Sequence, residues 1–278
     1  MKEIICPVDF SATSQTALKY AAELAQHFSA QLTVIHIYEF PVLYGDAPFL
    51  AVQQLGSEIE ESAGKNLESS VERIAKSHPS LIIEKILESG IPSSEIIRIA
   101  EERKPDLLVM GTKGLSAIER LFIGSTTERV FHHAGVPVLC IPENAVYKAI
   151  QKMVFATDLK EDNLKAAAAI TYFARSFNAE LHFIYIDTDM QEGHEVKTSE
   201  MTEKIRNHIN YPKMSGFVAE NFNVTSGLHE FLQYHPADIL IMFTHHRNFP
   251  RSLTTPSVTS ITLHHLNTPL LVMPPENK

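Results

Sequence analysis

Three glycines punctuate the stretch GTKGLSAIERLFIGS, at Gly111, Gly114 and Gly124, and the last runs directly into the hydroxyls of Ser125, Thr126 and Thr127. A glycine lets the backbone approach a ligand closely. The unpaired N–H groups of a helix start, with hydroxyls beside them, suit an anion of phosphate size. An apolar strand-like run, Asp106 to Met110, precedes the glycines, and a helical pattern, Thr126 to Ala134, follows them. Strand, glycine loop and helix start together point to a nucleotide.

Other residues could serve the same chemistry. Asp9 follows the apolar run Ile4–Val8. It can accept hydrogen bonds from a nucleoside's hydroxyls or base amino group, or it can cap the helix that starts soon after. Gly90, Ile91 and Pro92 can form an apolar wall for a flat base, or simply turn a strand into a helix, with proline suited to the first turn. Lys113 offers a charge to phosphates or is a solvated loop lysine. Arg120 and Arg129 read as surface residues. Adjacent histidines (His132-His133, His245-His246, His264-His265) diverge by about 100° on a helix, so such pairs rarely hold one metal ion. The first and last pairs suit the negative end of a helix dipole. His245-His246, near Arg247 and Arg251, would be the better place for an unassigned anion or metal. No metal site is expected otherwise.

These residues need a scaffold, and the chain describes one twice. Ile4–Phe10 matches Met153–Leu159, and Ala30–Ile37 matches Ala179–Ile186, both at an offset of 149. Pro105–Met110 aligns with Ala237–Met242, and Phe131–Val138 with Leu263–Leu270, at an offset of 132. The difference implies a shortened second copy, about 17 residues lighter in its middle. Within the first copy, strands are expected over Lys2–Val8, Gln31–Tyr38, Leu81–Leu87, Asp106–Met110 and Pro137–Ile141. Helices are expected over Ser14–Phe28, Glu58–Ser77, Pro92–Arg103 and Thr126–Ala134, with Pro41–Gly56 irregular. The strands are continuously apolar, as when helices cover both faces of a parallel sheet. Ligands in such sheets sit beyond the carboxyl ends of the strands, where the winding reverses.

At 278 residues, 44% hydrophobic and 21% charged, the chain is long enough for one large domain or two modest ones. A net charge of −9 argues against a protein that coats nucleic acid. Cys6 and Cys140 sit inside apolar strands and read as buried thiols of a reducing compartment. No secretory leader and no apolar run of about 20 residues is apparent, so cytoplasmic localisation and no membrane partner are expected.

The spacing Gly111-x2-Gly114-x9-Gly124-Ser125 resembles the ATP-binding signature of the universal stress protein family. Pro7-Val8-Asp9-Phe10-Ser11, Gly90-Ile91-Pro92 and the closing strand Pro137–Ile141 agree with it, and the resemblance spans both copies. It implies two Rossmann-like domains of the adenine nucleotide α-hydrolase-like type, over 1–143 and 151–274, each a five-stranded parallel sheet sandwiched by helices. It also implies domains paired within the chain as a pseudo-dimer, with a homodimer as a further option. ATP, with or without Mg2+, would be the ligand. Pro7, Val8, Asp9, Ile37 and Met110 would line the nucleoside pocket. Gly111, Lys113, Gly114, Gly124, Ser125, Thr126 and Thr127 would hold the phosphates.

The second copy departs from this signature. Gly111 becomes Phe243, Gly114 becomes His246, Gly124 becomes Pro256 and Gly90 becomes Phe222, while Asp9 and Ser125 persist as Asp158 and Ser257. Side chains then stand where phosphates would approach, and proline removes a donor. The expected function is therefore a nucleotide-dependent regulatory or stress-response module with ATP in the amino-terminal domain. The alternatives are a slow ATPase or nucleotidyl-transfer enzyme, or a scaffold that binds no nucleotide. No Walker-type loop is present, and no catalytic residue is assigned.

Overall fold

The computed structural model describes residues 1–40, 49–112, 124–157, 162–188, 199–200, 203, 207, 211–243 and 268–274. The chain divides into two compact units, Met1–Tyr147 and Lys148–Lys278. The first runs β1 (Glu3–Pro7), α1 (Ala12–Phe28), β2 (Gln31–Tyr38), α2 (Phe49–Ser77), β3 (Ile83–Ser89), α3 (Pro92–Arg103), β4 (Leu107–Gly111), α4 (Ser125–His133) and β5 (Val138–Ile141). Its strands are all parallel in the order β3-β2-β1-β4-β5. Winding therefore reverses between β1 and β4, which puts the expected ligand crevice at the ends of those two strands.

The second unit contains β6 (Lys152–Ala156), α5 (Asp162–Phe177), β7 (Glu180–Asp187), β8 (Met214–Glu220), α6 (Val224–Tyr234), β9 (Ile239–Phe243) and β10 (Leu270–Met273). Its parallel order, β8-β7-β6-β9-β10, repeats the first. Strands β4, β5 and β10 are buried along their whole length and β9 along all but its last residue, as when helices cover both faces. Helix α1 lays Ala17, Ala21, Ala22 and Ala25 on the sheet, with Leu18 and Leu24 filling the gaps, and each of these is at most 1% exposed. Small residues on that face bring the helix axis close to the strands.

Each repeat also closes its sheet with an aspartate just before the fourth strand. Asp106 accepts from the N–H groups of Lys2 and Glu3. Asp238 does the same for Gln151 (2.8 Å) and Lys152 (2.9 Å). An identical pair of charge-assisted bonds ties the start of the first strand to the fourth in both copies. Among the described residues no helix is long and apolar enough to cross a membrane.

Three sequence expectations need correction. Helix α2 begins at Phe49 rather than Glu58. Gly56 reads as a breaker, yet it lies inside the helix because the Phe40 ring packs there: a Cβ would meet Phe40 Cε1 at 2.7 Å. Strand β3 spans Ile83–Ser89 instead of Leu81–Leu87, and the apolar Ile82 that drew the assignment forward is 70% exposed. Finally, Gly90 corresponds to Asn221 and not to Phe222. The Gly90 N–H donates to Tyr38 O, and the Asn221 N–H donates to Asp187 O, the equivalent carbonyl. The offset is thus 149 through β2 and β7, 131 for β3 and β8 (Ile83 to Met214), and 132 from α3 and α6 onward (Pro92 to Val224). The second copy has lost 18 residues (149 less 131) and gained one, Phe222, which is 84% exposed.

Candidate functional site

The site begins where β1 stops. Asp9 Oδ1 accepts from Ser11 N (3.1 Å) and Ser11 Oγ (2.6 Å), and Ser11 Oγ in turn accepts from Ser14 N at 3.1 Å. Ser14 Oγ donates to Ser11 O and accepts from Asp9 N at 3.4 Å. The N-cap of α1 is therefore Ser11. Of the two roles open to Asp9, capping belongs to Ser11; Asp9 orients the cap and remains half-buried at the crevice.

Gly111, the last residue of β4, faces that same turn. A Cβ on it would meet Thr13 Cγ2 at 2.9 Å, Thr13 C at 3.1 Å and Ser14 N at 3.2 Å. Glycine is needed here for close packing of α1 on β4, which a ligand role does not require. Its carbonyl accepts from Thr127 Oγ1 at 2.8 Å, and Thr112 O accepts from Gly124 N at 2.9 Å. Two bonds thus anchor the start of α4 on the end of β4. Thr127 is 4% exposed and its hydroxyl proton is directed into the fold. The Gly124 N–H is likewise occupied.

Gly124 is the N-cap of α4 and has no side chain with which to cap it, and none among the described residues does so. The first intrahelical donor is Glu128 N, bonded to Gly124 O. The N–H groups of Ser125, Thr126 and Thr127 precede it, with the exposed Ser125 and half-buried Thr126 hydroxyls beside them. Such a helix start favours an anion. Lys113 and Gly114 lie outside the described residues, as do Asp158, Pro256, Ser257 and the His245-His246 and His264-His265 pairs.

Behind the start of α4, Pro7 and Val8 (4% exposed), Ile37 (8%) and Met110 (4%) bring apolar side chains to the ends of β1, β2 and β4. The Val8 N–H donates to Ile35 O at 2.8 Å. Backbone polar groups alternate in direction along a strand, so those of Ile37 face the same way as those of Ile35. There β1 has already ended, and the amide of Ile37 lies past its last ladder bond. The exposed Ile91 (63%) projects from the β3–α3 turn.

Sequence reasoning missed His36. Its Nδ1 lies 2.6 Å from Val8 O, and its ring centroid lies 4.3 Å from that of Phe10, whose φ is +65°. Burial pulls the imidazole below its ordinary pKa, while the Val8 carbonyl and the Asp9 carboxylate oppose that shift. The available signal was a histidine in an otherwise apolar strand end, between Ile35 and Ile37.

The second unit builds the same place from rings. Cys6, Val34 and Gly111 correspond to Phe155, Phe183 and Phe243. The Phe155 ring lies 5.4 Å from each of the other two, edge-on at 74°. Where Gly111 presents a hydrogen, Phe243 presents a phenyl group. Elsewhere, His132 and His133 have ring centroids 6.4 Å apart, and His133 Nδ1 meets Arg129 O at the end of α4, in keeping with a helix-end role. Among the described residues no cluster of His, Cys, Asp and Glu could hold a metal. Cys6 and Cys140 are buried and unbridged, and burial pushes both thiols up.

The family model for universal stress proteins matches residues 1–142. A universal stress protein of Methanocaldococcus jannaschii is 35% identical over 140 residues, covering 50% of this chain and 81% of the relative. A second from the same organism is 27% identical over 152 residues, covering 50% and 94%. Among solved structures, a universal stress protein from Archaeoglobus fulgidus superposes with a TM-score of 0.75 at 18% identity, across 99% of this chain and 98% of the other, a likeness of fold. With half the chain matched by the family model and the sheet order it requires in place, the chain belongs to the universal stress protein family.

Proposed function

We propose that the first unit binds ATP and that the bound state of this crevice is what the protein uses to regulate its contacts. The observation that carries the reading is the glycine-capped start of α4, fixed to the end of β4, whose Gly111 faces the Thr13–Ser14 turn that also holds Asp9. Three consecutive amides and the hydroxyls of Ser125 and Thr126 supply donors for phosphate oxygens. Gly111 and Gly114 would flank the chain of phosphates, Lys113 would add charge, and Gly124 would bind it from the helix start. Thr127 acts as a strut in this reading, because its proton is already donated to Gly111 O.

At the other end, Val8, Ile37 and Met110 supply apolar walls for the base. The Ile37 amide, past the end of β1, can pair with the edge of an adenine, and Asp9 can accept from the ribose hydroxyls. Glu128 in the first turn of α4 places a carboxylate near the phosphates, which favours Mg2+ entering with the nucleotide. Asp9 is tied to Ser11 at the nucleoside end, a poor place from which to activate water at a γ-phosphate. Binding without appreciable turnover is therefore expected.

Denaturing the purified protein and chromatographing the supernatant tests this reading. Bound adenine nucleotide with negligible phosphate release supports it. Sustained phosphate release that disappears in Asp9→Ala would make the protein an ATPase. Absence of nucleotide, with no thermal shift on adding ATP and Mg2+, would leave a scaffold. Gly114→His, which copies the second unit, should abolish binding while leaving the fold intact.

A further inference from the structure

We propose that His36 is a positioning residue for the nucleoside end of this crevice, holding the Val8 carbonyl and the Phe10 ring so that Asp9 and the Ile37 amide face the ligand. The inference rests on the ATP-binding reading for its ligand, and its geometry stands on the contacts of His36 itself.

A carbonyl accepts, so the 2.6 Å contact requires the proton on Nδ1. That bond engages the acceptor nearest to the next ladder donor of β2. In a parallel ladder Ile35 pairs with residue 8 through its carbonyl, and Ile37 N–H would follow by pairing with the carbonyl of residue 8. The ladder between the first two strands ends at this position in both copies, with Val8 N–H on Ile35 O and Thr157 N–H on Ile184 O, and in the first copy the imidazole also fixes the Val8 carbonyl on the side of the Ile37 amide. The ring has a second task. Phe10 adopts φ +65°, a conformation that bulky residues rarely take. Its ring rests on His36 at 4.3 Å, and the backbone turn so fixed runs straight from Asp9 to the Ser11 cap. Remove the imidazole and both of these contacts go together, leaving the turn to the Ser11 and Ser14 bonds alone.

The second unit lacks the device. His36 corresponds to Tyr185, whose hydroxyl lies at the far end of a long ring and cannot place a donor next to its own backbone as Nδ1 does. The substitution accompanies Phe243 in the unit where no nucleotide is expected.

Calorimetric titration of ATP and Mg2+ into the full chain tests the proposal with three variants. His36→Ala and His36→Phe should each weaken affinity about tenfold, the scale of one well-placed hydrogen bond. His36→Asn returns a side-chain N–H at nearly the position of Nδ1 and should stay within about threefold of wild type. A purely steric role would instead let His36→Phe bind normally and His36→Asn fail. Unchanged affinity in His36→Ala overturns the proposal. If the wild-type protein binds no ATP, the ligand reading fails separately, and the positioning role is then read by nuclear magnetic resonance. Ring nitrogen shifts should show the Nδ1–H tautomer, and the Ser11 and Ser14 amides should exchange at least about tenfold faster in His36→Ala, with protection restored by His36→Asn. An Nε2–H tautomer, or exchange unaffected by His36→Ala, would overturn it.

Discussion

The two units share a strand order, an aspartate clamp and a left-handed helix end (Ser29 and Asn178), yet differ at both ends of the sheet. At the carboxyl end, the first unit keeps Cys6, Val34 and Gly111 where the second has three phenyl rings. At the amino end, Arg103 of the first unit bridges Glu3 and Glu84, while Thr33 donates to Glu3 and Gln31 to Glu84. The second unit replaces these with Lys152, His182, Ser215, His235 and Glu180. There His182, Phe217, Phe231 and His235 pack ring on ring at 4.5 to 5.4 Å. Duplication has preserved what builds the sheet, while among the described residues the second copy has aromatic rings where the first has smaller side chains.

The largest effect is expected where the two copies differ most. Gly111→Phe forces a side chain against Thr13 and Ser14 backbone atoms about 3 Å away. It should lower stability by about 3 kcal/mol, at the upper end of overpacking costs, and abolish ATP binding. Denaturant unfolding and titration together check this; retained binding would mean that the crevice does not pass Gly111.

A reciprocal pair offers a sharper comparison. In the first unit Glu95 packs over Gly90, where a Cβ would meet Glu95 Cγ at 2.9 Å. In the second, the equivalent of Glu95 is Gly227, where a Cβ would lie 3.0 Å from Asn221 Cβ and 2.8 Å from Ile186 Cγ2. Each copy spends one glycine on this contact, on opposite sides. Gly227→Glu should destabilise by about 2 kcal/mol, and adding Asn221→Gly should recover about half in a double-mutant cycle. Strict additivity would break the equivalence of Gly90 with Asn221.

Asp238 tests the shared clamp by pH. Burial favours its protonated form, but Lys148 and the N–H groups of Gln151 and Lys152 outweigh this and hold the carboxyl below its ordinary pKa. A lowered folded pKa stabilises the protein above the unfolded value of about 3.9 and loses that contribution as pH falls through the folded pKa. Asp238→Asn should cost about 1 kcal/mol at pH 7, with the gap to wild type closing below about pH 3.9. A gap that persisted at pH 2 would assign the loss to packing.

The smallest effect belongs to His182, whose Nδ1 is buried without a partner among the described residues while Nε2 lies 3.4 Å from Glu180. His182→Phe removes that polar atom and keeps the ring against Phe217. It should be neutral or stabilising by up to about 1 kcal/mol; a large loss in thermal unfolding would show that the imidazole is needed.

Much of this was legible in the residues. Duplication, the parallel sheet and the junction of β4 with α4 follow from apolar runs and glycine spacing, which report backbone and burial directly. Contacts between distant segments were not legible. Gly56 and Gly111 are glycines because Phe40 and the start of α1 press on them, and no local pattern carries that information. The cap assignment turned on how three side chains share three amides: Asp9 takes that of Ser11, Ser11 that of Ser14 and Ser14 that of Asp9. The equivalence of Gly90 shifted by one residue because an insertion next to a deletion leaves the overall offset nearly unchanged. His36 lay hidden because a histidine inside a strand says nothing of which carbonyl it meets.

Titration of ATP and Mg2+ into the intact chain and into Gly111→Phe measures the difference between the units most directly. One nucleotide per chain is expected in the wild type and none in the variant, with the second unit contributing no site. Two nucleotides per chain, or one that survives in Gly111→Phe, would contradict the assignment of binding to the amino-terminal crevice.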